Sequence, residues 1–389
     1  MDKSSKTILE RFDWTLAFIL LLFFVISLLA IHSAQGEGNN YLIRQIAYYI
    51  VGIFIVAACM FFDSFQYRKL SWILYGFGIL LLVLLIIAPE SIAKPVNGQK
   101  NWFQIPYIGS IQPSEFMKIF LILALSKLIV THQEKDLPKT TQTDLQLFFK
   151  LGITSFVPFV LIGQEDLGTA LVIFAIFVGM VLVSGISWKI IGSFFAIIAA
   201  GIAGVLYMVI YAPNFLQEKL KIPPYQFDRI YSWLDPEAFQ ATSGYNLYKS
   251  LQAIGSGLLT GKGFGERAVY IPEAHTDFIF SVIGEEYGFI GASIVIGLYF
   301  ILIYHLTKIA LETIDPFNTY VIAGIITMIS FHVFQNIGMT IQVLPIAGIP
   351  LPFISYGGSS LMGNMLAMGI VFSIKYHHKT YMFSSDSKK

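Results

Sequence analysis

The stretch IPEAHTDFIF, residues 271–280, sets Glu273, His275 and Asp277 at every second position just before a long apolar run, and that run carries Glu285 and Glu286. Carboxylates and an imidazole are side chains that accept, donate and relay protons. A charge at bilayer depth costs at least about 2.5–3.5 kcal/mol, so each one there is a functional candidate by default. Three more groupings share this character. In QPSEFMKIF (112–120), Pro113 suits a first helical turn, and Glu115 and Lys118 stand three apart on one helix face. They form either an ion pair anchoring a helix end or a pair facing an internal polar cavity. In GQEDLGTA (163–170), Glu165 and Asp166 lie in a connection too short to be unstructured. Asp166 can cap the following helix and still face a cleft. LPIAGIPLPFISYGGSS (344–360), which contains Ser355, puts three prolines and three glycines between two apolar spans. Irregular backbone at that depth survives only when buried in protein or lining a wet cavity.

These groups are set among elements built for lipid. The chain has 389 residues, 56% hydrophobic and 13% charged, about half the charge of a soluble domain, and its mean hydropathy is +0.69. The expected fold is an all-α polytopic membrane protein. Apolar runs long enough for a core of about 30 Å give ten transmembrane helices, near 14–34, 43–62, 70–88, 113–131, 149–164, 167–186, 189–211, 277–304, 318–341 and 355–375. The fifth reads as short, leading into a tight hairpin or a re-entrant feature. The first is too long for the apolar part of a cleaved signal peptide. Short-loop Lys and Arg place both termini, 1–13 and 376–389, in the cytoplasm. The loop at 212–276, between the seventh and eighth spans, is then extracytoplasmic, and its mix of aromatics, prolines and glycines reads as ordered structure with short helices on a single membrane domain. Cys59 is the one cysteine, so no intrachain disulfide forms, and a net charge of +1 with no dense basic block gives no reason to expect nucleic acid. The Gly-rich SGLLTGKGFGE is not a phosphate loop: Ser256 holds the first glycine position and Gly263 follows Lys262. Carboxylates, a few cations and irregular backbone thus gather on one face, as suits an enzyme for a lipid-borne polar substrate or a transporter.

The pieces NGQKNWFQI, QPSEFMKIF, QEDLGTA, YQFDRI, AIGSGLLTGKGFGE, IPEAHTDFIFSVIGEEYGFIG and GIPLPFISYGGSS occur in order from about residue 97 to 375. In these the chain resembles the SEDS family (shape, elongation, division and sporulation), and its RodA branch more than the FtsW and SpoVE branches; the short tails point the same way. The resemblance implies a bacterial inner-membrane peptidoglycan glycosyltransferase. Such an enzyme polymerises lipid II on the outer membrane face, with a class B penicillin-binding protein and other elongation proteins as partners. It makes Asp277 the presumed catalytic carboxylate and gives Glu115 and Lys118 functional weight. The chain departs from the family pattern at Asn101–Trp102, where Arg–Trp is usual and Lys100 stands one position early, at Glu165 in place of Pro, and at Leu258 in place of Gly.

The implied reaction joins a sugar 4-hydroxyl to an anomeric carbon bearing undecaprenyl diphosphate, with inversion. Asp277 is then the general base or the ligand of a divalent cation, Mg²⁺ or Mn²⁺. Arg229, Lys118 and Lys262 are candidate cations for the diphosphate, with Lys100 and Trp102 as further cleft candidates. His275 either acts or fixes the loop, and Glu273 is expected to pair with Arg229 or another loop cation. On a regular helix Glu285 lies about 80° around from Asp277 and Glu286 about 180°, so they cannot both face one site; they read as inner-leaflet structural or pairing residues. The rival readings are a lipid II flippase, a non-catalytic scaffold, and the division or sporulation member of the family.

Overall fold

The computed structural model describes residues 11–36, 40–95, 98–105, 109–135, 138–211 and 230–378. Its helices are α1 (Trp14–Ala34), α2 (Tyr41–Cys59), α3 (Ser64–Ile87), α4 (Pro113–Gln133), α5 (Thr141–Gly163), α6 (Leu167–Val183), α7 (Trp188–Tyr211), α8 (Tyr245–Ser256), α9 (Ile279–Glu312), α10 (Pro316–Thr340) and α11 (Gly358–His377). All but α8 correspond, in order, to the ten expected spans. Between α3 and α4 lies a small antiparallel hairpin, β1 (Phe103–Ile105) and β2 (Gly109–Ile111), with Phe103 opposite Ile111.

Local chemistry fixes the helix starts. Asp63 and Thr140 form capping boxes with Gln66 and Thr143, and Asp315 caps α10 with Pro316 in its first turn. Asp13 accepts the Leu16 N–H at the start of α1 and also meets His305 of α9 at 2.9 Å, so one carboxylate serves a cap and a helix–helix contact. Seven helices, α1, α2, α3, α5, α7, α9 and α10, are long and apolar enough to cross a membrane. The polar groups on α4 have a physical explanation. It runs through the middle of the bundle, against α3, α5, α6, α10 and α11, with Glu115 and Lys118 among its many buried residues. A helix enclosed by protein need not be apolar all round. Small residues bring the helices close: a Cβ on Gly363 of α11 would stand 3.1 Å from the Glu115 carbonyl, and one on Gly179 of α6 would meet Thr327 of α10 at 2.3 Å.

Two expectations are corrected and one open choice is decided. The fifth span is a full helix of 23 residues beginning at Thr141. Its first turns, TQTDLQLFFK, are too polar to register as membrane-spanning, yet the Thr140 cap extends the helix through them. Of the two readings of QEDLGT, the tight hairpin is the right one: Gln164 ends α5 and Asp166 caps α6. The second correction concerns α9. Asp277 precedes its first turn and Phe278 between them is non-helical, φ −105° and ψ 22°, so regular helical geometry does not relate Asp277 to Glu285 and Glu286; beyond those two the helix breaks at Gly288, φ 60° and ψ −157°. Those two carboxylates face the 257–269 loop. Glu285 pairs with Lys262 at 2.6 Å and accepts the Ala268 and Val269 N–H groups, while Glu286 accepts from Ser33 and the Gly265 N–H. They secure the loop and α1, as structural and pairing residues. Further along the same loop, α8 lies on α9 and α10 through buried Ser250, which takes a hydrogen bond from Ser281 and donates to the Thr340 carbonyl at 2.7 Å.

Candidate active site

The segment 344–357 has no regular secondary structure, though most of its second half is buried. Its carbonyls are met by side chains from four helices. Ser27 of α1 donates to Ile354 O at 2.8 Å, Gln45 of α2 to Ser355 O at 3.2 Å, Tyr49 of α2 to Phe353 O, Tyr299 of α9 to Pro352 O, and Gln335 of α10 to Pro345 O at 2.9 Å. Buried backbone groups left unmet would cost about 1–3 kcal/mol each, so these donors are what permits an irregular chain at this depth.

Asp277 is held against this segment. Buried Asn336 of α10 spends both amide protons on it, one on the Asp277 carbonyl and one on Ile349 O, each at 2.8 Å. Ser355 receives the Leu351 N–H and donates to Thr276 O at 2.6 Å, and the Tyr356 N–H donates to His275 O at 2.9 Å. The Asp277 carboxylate then lies over Gly348, where a Cβ would come 3.4 Å from its Oδ2. Gly348 has φ +66°, a conformation that favours glycine. On its other side, Gly168 at the start of α6 is pressed on Ala347, whose carbonyl a Cβ would approach to 2.2 Å.

No hydrogen-bond donor among the described residues reaches the Asp277 carboxylate. Burial, then the negative charges of Glu273 and Asp166, push its pKa up to about 7. Asp166 is the α6 cap, accepting from Thr169 N and Oγ1 and from Gln112 Nε2 at 3.1 Å. The cap and cleft readings of Asp166 therefore both hold. Gln112 precedes α4 and donates its N–H to Ser359 of α11 at 2.9 Å. The N-termini of α4, α6 and α11 thus converge on one layer, presenting the positive ends of three helix dipoles. His275 stacks on Tyr41 with centroids 4.2 Å apart and near-parallel planes, with Tyr356 beside both. Burial lowers the imidazole's pKa. Exposed Arg44 of α2 is hydrogen-bonded to Tyr356.

Deeper in the bundle, Lys118 donates to Glu115 at 2.8 Å and meets His332 Nε2 of α10 at 3.1 Å; His332 Nδ1 lies 3.3 Å from Pro350 O. With the ammonium as donor, His332 Nε2 accepts and Nδ1 carries the proton toward the carbonyl.

The whole chain has known counterparts. The FtsW/RodA/SpoVE cell cycle protein family matches residues 9–380. The chain belongs to this family. It is 32% identical to Stage V sporulation protein E of Bacillus subtilis, over 94% of this chain and 98% of that protein. Identity to the peptidoglycan glycosyltransferase MrdB of Escherichia coli K12 is also 32%, over 97% and 98%. A chain of a peptidoglycan synthase complex, solved in a study of coordinated polymerisation and crosslinking, superposes with a TM-score of 0.76 at 26% identity, covering 94% of this chain and 97% of that one. A sporulation relative and MrdB match equally, so identity does not favour the RodA branch. Family membership makes this a multi-pass membrane protein.

Of the residues singled out in the sequence of this SEDS protein, the structure brings Asp277, Asp166, His275 and Ser355 together, with Glu273 next to them. Glu115 and Lys118 form the internal pair. Two candidates are engaged elsewhere. The Lys100 ammonium caps the C-terminus of α3 through Ile86 O and Ala88 O, and its N–H donates to Glu165 at 3.0 Å. Two of the three departures from the family pattern thus meet each other. Lys262 is committed to Glu285. Trp102 is half-buried just before β1. Arg229, the expected partner of Glu273, lies outside the described residues. Asn336, His332, Gln45, Tyr41 and Arg44 were passed over, although polar residues inside apolar runs such as SFHVFQNIGM are the signal that applies.

Proposed function

We propose that this protein is a peptidoglycan glycosyltransferase that polymerises lipid II at the membrane face where Asp277 lies, taken as the outer face, with both termini cytoplasmic. A class B penicillin-binding protein is its crosslinking partner. The observation that carries the reading is the Asp277 carboxylate, fixed by its backbone to α10 and the 344–357 segment while no donor among the described residues reaches its own oxygens. The names of the relatives support the activity, and the synthase complex supports the partnership.

In this mechanism Asp277 takes the proton of the acceptor 4-hydroxyl as that oxygen bonds to the anomeric carbon of the growing strand. The bond from that carbon to the diphosphate breaks with its electron pair going to the diphosphate, so a single displacement inverts the centre. A base with a pKa near 7 suits work at neutral pH, and such help is typically worth about 10²–10⁴-fold. The negative charge that develops on the diphosphate faces the N-termini of α4, α6 and α11 and the exposed Arg44, an electrostatic setting that is pre-built. Buried Lys118 orders the interior and does not touch substrate. Among the described residues no three His, Cys, Asp or Glu side chains are grouped to hold a metal ion, so the donors do not make a resident metal site. A Mg²⁺ or Mn²⁺ ion arriving with the diphosphate would find Asp277 as its protein ligand, and no step above depends on it.

The deciding experiment is polymerisation of labelled lipid II by the purified protein with its class B partner, the partner's transpeptidase being inactivated. Wild type is expected to make long glycan, and Asp277→Asn, folded and partner-bound, almost none. Equal glycan from both sinks Asp277 as the base. No glycan from either, with lipid II crossing vesicles that hold the wild type, replaces the enzyme by a transporter.

A further inference from the structure

At the ends of α3, α4 and α5 remote from Asp277, a cavity of about 170 Å³ is lined by Trp72, Lys127, Leu128, Thr131, His132, Lys135 and Lys150. Lys127 lies twelve residues along α4 from Glu115, about 18 Å at 1.5 Å per residue, so this cavity is distinct from the site above. Three lysines converge on it, and among the described residues none of the three has an ion pair or a side-chain hydrogen bond. Of the nearby carboxylates, Glu134 pairs with Arg68, while Asp144 accepts the Ser187 N–H at 2.9 Å and its charge also acts on His132. The Nδ1 of His132 is buried without a partner.

Three lysines beside the one nearby carboxylate, Asp144, that no cation holds among the described residues leave positive charge in excess, and an anion joining them relieves the repulsion. We propose that this cavity binds the phosphate of an anionic lipid headgroup. Its volume of about 170 Å³ leaves room for a phosphodiester. Lys127 is half-buried on the inner wall, Lys135 and Lys150 are exposed at the rim, and Trp72 is 42% exposed on the lipid-facing surface. Trp at the bilayer boundary is an amphipathic anchor at headgroup level, and basic pockets between membrane helices bind headgroups in this way. A lipid fits better than free phosphate because the cavity opens beside the outward faces of α3 and α5, where Ile73 and Phe149 are 65% and 61% exposed, so acyl chains have an apolar surface to follow.

The test uses the full-length protein in micelles, with thermal unfolding followed by a thiol-reactive dye at buried Cys59. Phosphatidylglycerol, phosphatidylcholine and inorganic phosphate are titrated in separate arms. Phosphatidylglycerol is expected to raise the unfolding midpoint saturably, and Lys127→Gln/Lys150→Gln to raise its half-saturating concentration about tenfold or more. A control double, Lys69→Gln/Lys189→Gln at exposed sites, is expected to respond like wild type. Should Lys127→Gln prevent folding, Lys150→Gln alone, at an exposed position, is expected to show a weaker shift of the same kind. A response to phosphatidylcholine as strong as to phosphatidylglycerol, or an unchanged response in the cavity variants, overturns the site. Inorganic phosphate acting as well as the lipid keeps the phosphate site but overturns the lipid as its occupant.

Discussion

Glu115 and Lys118 make the sharpest energetic test of the interior. Both are buried, at 3% and 2% exposure, and 2.8 Å apart. Removing one partner of such a pair leaves a charge with no counter-charge, typically at about 3–5 kcal/mol, whereas replacing both with apolar groups of similar volume is often neutral or better. Here the double replacement also strips His332 Nε2 of its donor, which is worth about 1–3 kcal/mol. Glu115→Leu is therefore expected to destabilise by about 3–5 kcal/mol, because Lys118 keeps only a neutral imidazole. Glu115→Leu/Lys118→Met is expected to lose about 1–3 kcal/mol, and so to be the more stable of the two variants. The assay is thermal unfolding in micelles read by dye labelling of Cys59, the one thiol and a buried one. A double variant less stable than Glu115→Leu would refute the reasoning, since it would mean that Lys118 is stabilised by something other than its carboxylate partner.

If Asp277 is the base, kcat/KM should rise about tenfold per pH unit up to a pH near 7 and then level off, because the carboxylate must be ionised to take a proton; a flat profile from pH 5 to 8 would remove it from that role. Stability should move the other way. A folded pKa raised from about 3.9 to about 7 means the native state binds the proton more tightly, so its contribution is lost as pH rises across that window, and Asp277→Asn should unfold later than wild type at pH 8 but not at pH 4. Asn336→Leu removes the two bonds that fix Asp277 and Ile349, and a displacement of about 1 Å can cost 10²-fold in rate; polymerisation should fall by about that factor, and an activity within twofold of wild type would show that Asn336 does not position the base. Leu258 holds φ +49° and is 79% exposed, where glycine would be free of about 1–2 kcal/mol of strain less its own entropy cost of about 0.5–1 kcal/mol; Leu258→Gly should raise the unfolding midpoint slightly with activity unchanged, and a lowered midpoint contradicts the strain.

The membrane helices were legible because an apolar run of about 20 residues has few other uses. The HTDF stretch stood out because its carboxylate precedes such a run. What the sequence hid was pairing between distant segments. Lys100 and Lys262 looked like free cations, yet the α3 carbonyls and Glu285 that hold them are 14 and 23 residues away. The helical-wheel placement of Glu285 and Glu286 relative to Asp277 fails because a wheel assumes a regular helix, and α9 begins only after Asp277 and the non-helical Phe278. The first turns of α5 were missed because hydropathy does not register a helix that outruns the bilayer. His332, Asn336 and Gln45 were readable in principle as polar residues within apolar runs, but nothing local says which buried carbonyl each one serves.

Those polar residues explain how a carboxylate can be fixed in place with no donor among the described residues on its own oxygens. Each support acts on backbone. Asn336 holds the Asp277 carbonyl, Ser355 the Thr276 carbonyl, and the Tyr356 N–H the His275 carbonyl. The side chain is left facing Gly348 and the negative charges of Glu273 and Asp166, which raise its affinity for a proton. Stability and reactivity are thereby assigned to different atoms of the same three residues. Loss of a support should lower both stability and rate, whereas loss of the Asp277 carboxylate should lower the rate and raise stability. That opposition of sign distinguishes a base from a strut, because a residue that merely held the loop would move both quantities down together.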